Sequence, residues 1–174
     1  MGFQELIRTR YSCRAYRSDP VAKDQLAQVL EAARLAPTAD NRQPFRLVVI
    51  RTAGREQELQ RVYGKAWFVQ APLVIAACGV PAENWVRKQD GKNYNDVDVA
   101  IVMDHLILAA ASLGLGTCWI GAFDPAAARQ VLGLPDGVEP IAFTPLGYPA
   151  DQSRPKKRKA LSELVRYEGW EVDK

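Results

Sequence analysis

A chain of 174 residues, 48% hydrophobic and 25% charged, suits one domain over residues 1–174 with a sizeable core, and it excludes a disordered or fibrous class. A net charge of +3, gathered near the carboxyl end, does not suggest a nucleic-acid binder, and no apolar run approaches the roughly 20 residues of a membrane span. Three cysteines, Cys13, Cys78 and Cys118, point to reduced thiols in a cytoplasmic protein, while a single histidine, His105, leaves neither a zinc cluster nor a Ser-His-Asp triad.

Phe3, Leu6 and Ile7 form a short helical stripe. Arg10, Ser12 and Arg14 then alternate, so they share one side of an extended chain. Two guanidinium groups and a hydroxyl are phosphate-type ligands, although an isolated pattern of this kind is more often solvated surface. After the turn at Asp19-Pro20, Leu26, Val29, Leu30 and Ala33 mark a helix from about Asp24 to Ala36, which Pro37 ends. The polar residues Thr38, Asp40, Asn41 and Gln43 lead through Pro44 into a strand at Phe45–Ile50.

A helix is expected at Arg55–Val62 and irregular chain at Gly64–Gln70. Pro72–Cys78 is apolar on both faces and reads as a central strand of a covered sheet. Pro81–Asn95, with Trp85 and the turn Asp90-Gly91, fits neither a core helix nor a core strand. Asp96–Leu113 is the longest helical pattern, apolar on nearly every side, which places it centrally or against a partner and gives His105 a structural role. Gly114 and Gly116 end it, and Thr117–Phe123 reads as a buried strand in which Gly121 permits close approach. Asp124-Pro125 starts a helix that Gly133 stops, Pro140–Leu146 is a further strand, and a basic run from Arg154 to Lys159 precedes Leu161, Leu164 and Val165.

Three stretches carry a family resemblance: Arg10-Tyr11-Ser12-Cys13-Arg14, Pro37-Thr38-Ala39-Asp40-Asn41-Arg42-Gln43-Pro44-Phe45, and Gly114-Leu115-Gly116-Thr117-Cys118-Trp119-Ile120-Gly121. In this order they resemble the signatures of the FMN-dependent nitroreductase family. The resemblance implies an α+β fold, an α/β sandwich with a central mixed β-sheet flanked by helices, built as an intertwined homodimer with two flavins at its interface. It implies FMN contacts from Arg10, Tyr11, Ser12, Arg14, Pro37, Thr38, Ala39, Asn41, Gln43, Ile120, Gly121, Lys156 and Arg158, the 37–41 residues coming from one subunit and the arginines from the other.

The implied activity is ping-pong transfer from NADH or NADPH to a small-molecule electron acceptor such as a nitroaromatic or quinone, with no metal and no catalytic side chain. Pro81–Asn95 would overlie the flavin. Dehalogenation, flavin destruction and FMN binding without turnover stay open as alternatives, as does a nucleic-acid-associated role. Little chain lies between Ile50 and Pro72 to contact the edge of the ring.

Overall fold

The computed structural model describes residues 2–170; Met1 and residues 171–174, the two ends of the expected 1–174 domain, lie outside the described residues. Four strands form one sheet in the order β1 (Phe45–Arg51), β2 (Leu73–Gly79), β4 (Glu139–Gly147), β3 (Gly116–Thr117). Their ladders are antiparallel, and the parallel component of the sheet is a single bridge between Ser12 and Thr117. β2 lies between β1 and β4 with all of its residues buried, as its unbroken apolar run requires.

Period-two alternation divides β2 between two cores. Leu73, Ile75 and Ala77 join Val29 and Ala33 of α2 (Lys23–Arg34) and Val99, Val102, Met103 and Leu106 of α4 (Asn95–Ser112). Val74, Ala76 and Cys78 join Leu59 and Val62 of α3 (Glu56–Val62), Phe68, Phe143 and Ala128 of α5 (Pro125–Leu132). The irregular stretch at 64–70 contains a 3-10 turn, Ala66–Val69, which drives Phe68 into this second core edge-on to Phe143 at 6.4 Å.

α5 shows its sequence signals at work. The Asp124 carboxylate accepts the Ala127 N–H at 2.9 Å, Pro125 occupies the first turn, and Gly133 closes the helix at φ 61°. Asp124→Ala is expected to cost about 1 kcal/mol. A lower urea midpoint at unchanged slope would record it.

The expected strand at Thr117–Phe123 is shorter than its sequence pattern. Only Gly116 and Thr117 pair continuously, opposite Gly147 and Leu146, and pairing resumes at Ile120 with Phe143 in the same register. Between them stands Pro145, which has no N–H to return, and the Cys118 N–H turns instead to the Thr144 hydroxyl at 3.1 Å. Trp119 and Gly121 consequently lie at the surface.

α4 is buried on one side only. Its other side, with Asp96, Val97, Ala100, Ile101, Asp104 and His105, borders an open groove of about 490 Å³. Further apolar surface is displayed by α1 (Phe3–Thr9), which buries no residue, and by the chain around α6 (Leu161–Leu164), where Leu161, Leu164, Tyr167 and Trp170 are all exposed. Among the described residues no helix is long and apolar enough to cross a membrane.

Candidate functional site

The alternating arginines near the amino end meet the basic run near the carboxyl end. Arg10, Tyr11, Ser12 and Arg14 share a cavity of about 320 Å³ with Asp151, Gln152, Arg154, Lys156 and Arg158. Backbone pairing joins the two segments: Arg17 N–H donates to the Tyr148 carbonyl and Ala150 N–H to the Ala15 carbonyl, while Cys13 N–H donates to Thr117. Lys156 also ends α1, its ammonium donating to the carbonyls of Ile7 and Arg8. Its pKa is drawn below the ordinary lysine value, first by burial and then by the charges of Arg10 and Arg158. A phosphate dianion placed among these cations would replace that repulsion with attraction, so the donor set fits a phosphate.

Asp151 locks this cradle together. Its carboxylate accepts from the Tyr11 hydroxyl at 2.9 Å, the Cys13 thiol at 3.2 Å and the Arg14 N–H at 2.8 Å. Burial opposes its ionisation, but those donors outweigh burial and hold its carboxyl below the usual carboxylate range. Burial, followed by Asp151, drives the Tyr11 hydroxyl above its ordinary value, and burial pushes the Cys13 thiol up to about 11, so both stay protonated donors. Arg14 also stands 6.0 Å over the Trp67 ring.

Asp151→Ala would strand the Arg14 N–H and remove an anion from among five cations, while the Tyr11 hydroxyl and the Cys13 thiol keep the carbonyls of Asp151 and Ala15. Both effects destabilise, and the expected loss is about 1–3 kcal/mol in thermal or urea unfolding. Because the native pKa is depressed, this stabilisation is complete above the unfolded-state pKa and fades as pH falls through the native one. The gap between wild type and variant should therefore narrow in acid.

The second half of the expected site is the loop from Pro37 to Gln43. Asp40, Asn41 and Gln43 hold φ values of 56°, 53° and 53°, the left-handed region that favours glycine. Local bonds enforce this shape: Asn41 N–H donates to the Thr38 carbonyl, Gln43 N–H to the Thr38 hydroxyl, and the Gln43 amide to the Asn41 carbonyl. Thr38 and Gln43 thus spend hydrogen bonds within the loop. The exposed side chain of Asn41 makes no hydrogen bond among the described residues, and Pro37 and Ala39 flank it. Ile120 is buried against Phe143, leaving Gly121 at the surface just beyond.

The two halves sit at opposite ends of α4. The Ala39 N–H donates to Asp98 Oδ1 at 2.9 Å near the amino end, whereas Arg10 borders a cavity with Ala111, Gly114 and Thr117 at the carboxyl end. Thirteen residues of helix at 1.5 Å each separate Asp98 from Ala111 by about 20 Å. Within one chain, then, the structure gathers Arg10, Tyr11, Ser12, Arg14, Lys156 and Arg158, and it holds Pro37, Thr38, Ala39, Asn41 and Gln43 apart from them.

Pro81–Asn95 lies over the amino end of α4, pinned by Arg46 to Glu83 and by Arg42 to the Asn84 carbonyl at 3.2 Å. Trp85 and Tyr94 meet edge-on at 5.1 Å, and Val86 bridges Asn93. Asp151, Gln152 and Arg154 lining the cradle, and Trp67 beside Arg14, are residues that sequence patterns did not assign; Arg154 lay visible in the basic run.

Fold and site together define an α+β protein that presents a cationic cradle on one edge of its sheet. The profile of the Nitroreductase family matches residues 7–78 and 54–148, and the chain belongs to that family. The match contains the first three motifs and stops before Lys156 and Arg158, whose place beside Arg10 rests on the geometry above. A crystallised nitroreductase family protein of Clostridium difficile superposes with a TM-score of 0.88 at 41% identity, covering 98% of this chain and 100% of that one. The chain is 31% identical to an NADH dehydrogenase of Thermus thermophilus, over 90% of this chain and 91% of the relative. It is also 31% identical to an FMN reductase [NAD(P)H] of Bacillus subtilis, over 84% and 66% respectively.

Proposed function

We propose that this protein is an NAD(P)H-dependent oxidoreductase that holds FMN and works as a homodimer on small electron-poor acceptors such as nitroaromatics or quinones. The observation that carries the reading is the convergence of Arg10, Ser12, Arg14, Lys156 and Arg158, from the two ends of the chain, on one cavity. These groups supply bidentate and single donors suited to a phosphate, with Tyr11 fixing the segment between them. Family membership and the names of its relatives support the flavin and the nicotinamide.

Bound FMN would relay a hydride from NADH or NADPH to the acceptor in ping-pong order. The chain's own residues orient and enclose it. The backbone of Ile120–Gly121 would hold the ring from the cradle side, and Asn41, with Pro37, Thr38 and Ala39, would hold it from the partner subunit. An antiparallel pairing of two α4 helices about a two-fold axis meets this requirement, because it sets the amino end of one helix beside the carboxyl end of the other. Asn41 would then offer the ring its side-chain amide, a donor and acceptor fixed by the loop that carries it. His105, whose Nδ1 lies 3.1 Å from the Ile101 carbonyl one turn back, takes no part in proton transfer.

The test is the visible spectrum of the purified protein, reconstituted with FMN where needed. A flavin spectrum that NADH or NADPH bleaches, and that a nitroaromatic or quinone restores, is the expected result. A colourless protein that takes up no FMN would refute the reading. His105→Gln should keep most turnover, whereas Asn41→Ala should slow flavin reduction by NAD(P)H, measured by stopped flow. Abolished turnover in His105→Gln with flavin retained would assign the histidine a proton-transfer role.

A further inference from the structure

Buried polar side chains stand on the two segments that hold the loop carrying Asn41, and none of them belongs to the cradle. Asn84 within the segment Pro81–Asn95, called the lid below, and Asn95 and Asp98 in the first turn of α4 are 3%, 4% and 1% exposed. Both side-chain polar atoms of each asparagine, and Oδ2 of Asp98, have no partner among the described residues. Buried polar groups are nearly always paired, so five such atoms on the segments that hold one loop call for an explanation other than stability.

Their contacts supply one. Asp98 Oδ1 receives the Ala39 N–H, immediately before the left-handed stretch, and the Asn84 carbonyl receives Arg42 from the same loop. Asn95 packs so closely on the end of β2 that a β-carbon at Gly79 would come within 2.2 Å of its Nδ2. The loop itself keeps three non-glycine residues at positive φ, a conformation that persists only where surrounding structure imposes it. Of the two anchors, Asn84 and Asp98, both are buried, and Asp98 is the one that sits on a long helix.

We propose that Asp98 is the positioning residue of the loop Thr38–Gln43, and that the bond from Arg42 to the Asn84 carbonyl couples the loop so held to the lid. Asp98 touches neither flavin nor substrate; it acts through the Ala39 amide on the orientation of Asn41. The functional half of this inference rests on the flavin reading above, while the mechanical half concerns the protein alone. The bond to the Ala39 amide sets a chemical expectation for position 98. An asparagine there keeps an oxygen for Ala39, whereas alanine does not.

Amide hydrogen exchange on the protein without flavin tests the mechanical half. Asp98→Ala should speed exchange of residues 38–43 and of the Arg42-bound end of the lid about tenfold, leaving the Cys13, Arg17 and Ala150 amides unchanged. Asp98→Asn should stay within about threefold of wild type. In the FMN-loaded protein, Asp98→Ala should shift the flavin visible circular dichroism and lower kcat about tenfold, with KM for the acceptor and FMN affinity within about threefold, and Asp98→Asn should restore both readouts. Should Asp98→Ala fail to fold, Asp98→Ser, too short to reach the Ala39 amide, carries the same expectations.

Unchanged exchange at 38–43, or faster exchange spread evenly over the whole chain, would overturn the proposal. So would equal losses in the alanine and asparagine variants. Failure of wild type to take up FMN would instead defeat the flavin reading, and the exchange data would still judge the role of Asp98.

Discussion

Alanine in place of Arg10 or of Arg158 is expected to weaken FMN by about 1.5–3 kcal/mol each, a loss of roughly ten- to 150-fold in affinity. Both side chains border the same cavity, and among the described residues neither is held in an ion pair with a carboxylate. Their charge is therefore available to a phosphate. Lys156 is the less direct test, since its ammonium also ends α1 and its removal would disturb that helix. Fluorescence titration of FMN reads the effect, which should shrink as salt screens the exposed part of the cradle. Arg158→Lys should recover part of the affinity, because an ammonium keeps the charge but not the two-pronged donor geometry. Titrations unchanged by either alanine would remove the phosphate from this cavity.

Much of this arrangement was legible in the chain because its determinants are local. Pro37 stops α2, the apolar run of β2 marks a covered central strand, and Asp124-Pro125 with Gly133 brackets α5. The cradle was legible through motif order, since Arg-x-Ser-x-Arg gains meaning only when a second basic segment is assigned to the same ligand. What escaped depends on partners far along the chain. Pro145 interrupts the pairing of Cys118, and nothing near Thr117–Phe123 announces it. Asp151 stands three residues ahead of the basic run with nothing local to single it out, yet Tyr11, Cys13 and Arg14 make it the lock of the cradle. Asp98 looks like a stray charge on an apolar helix until the Ala39 amide is found against it. Even the all-round apolar character of α4 had two meanings, one face packed on the sheet and the other left open.

That open face carries the remaining prediction. Ala100 is exposed on it, beside Val97 and Ile101 and one turn from Asp96 and Asp104. In a single subunit, Ala100→Arg places a guanidinium in open solvent within reach of carboxylates at i−4 and i+4, so each chain should fold with its stability unchanged or slightly raised. In a dimer paired through α4, the same guanidinium must enter the contact between two helices or push them apart, at about 2–5 kcal/mol. Wild type is expected to sediment as a dimer at micromolar concentration and Ala100→Arg as a folded monomer. FMN affinity should then fall at least tenfold although the cradle of Arg10, Arg14 and Arg158 is intact, because the loop with Asn41 belongs to the other subunit. A folded Ala100→Arg monomer that bound FMN as tightly as wild type would show that one chain completes the site. The separation of about 20 Å along α4 would then have to be bridged within the subunit.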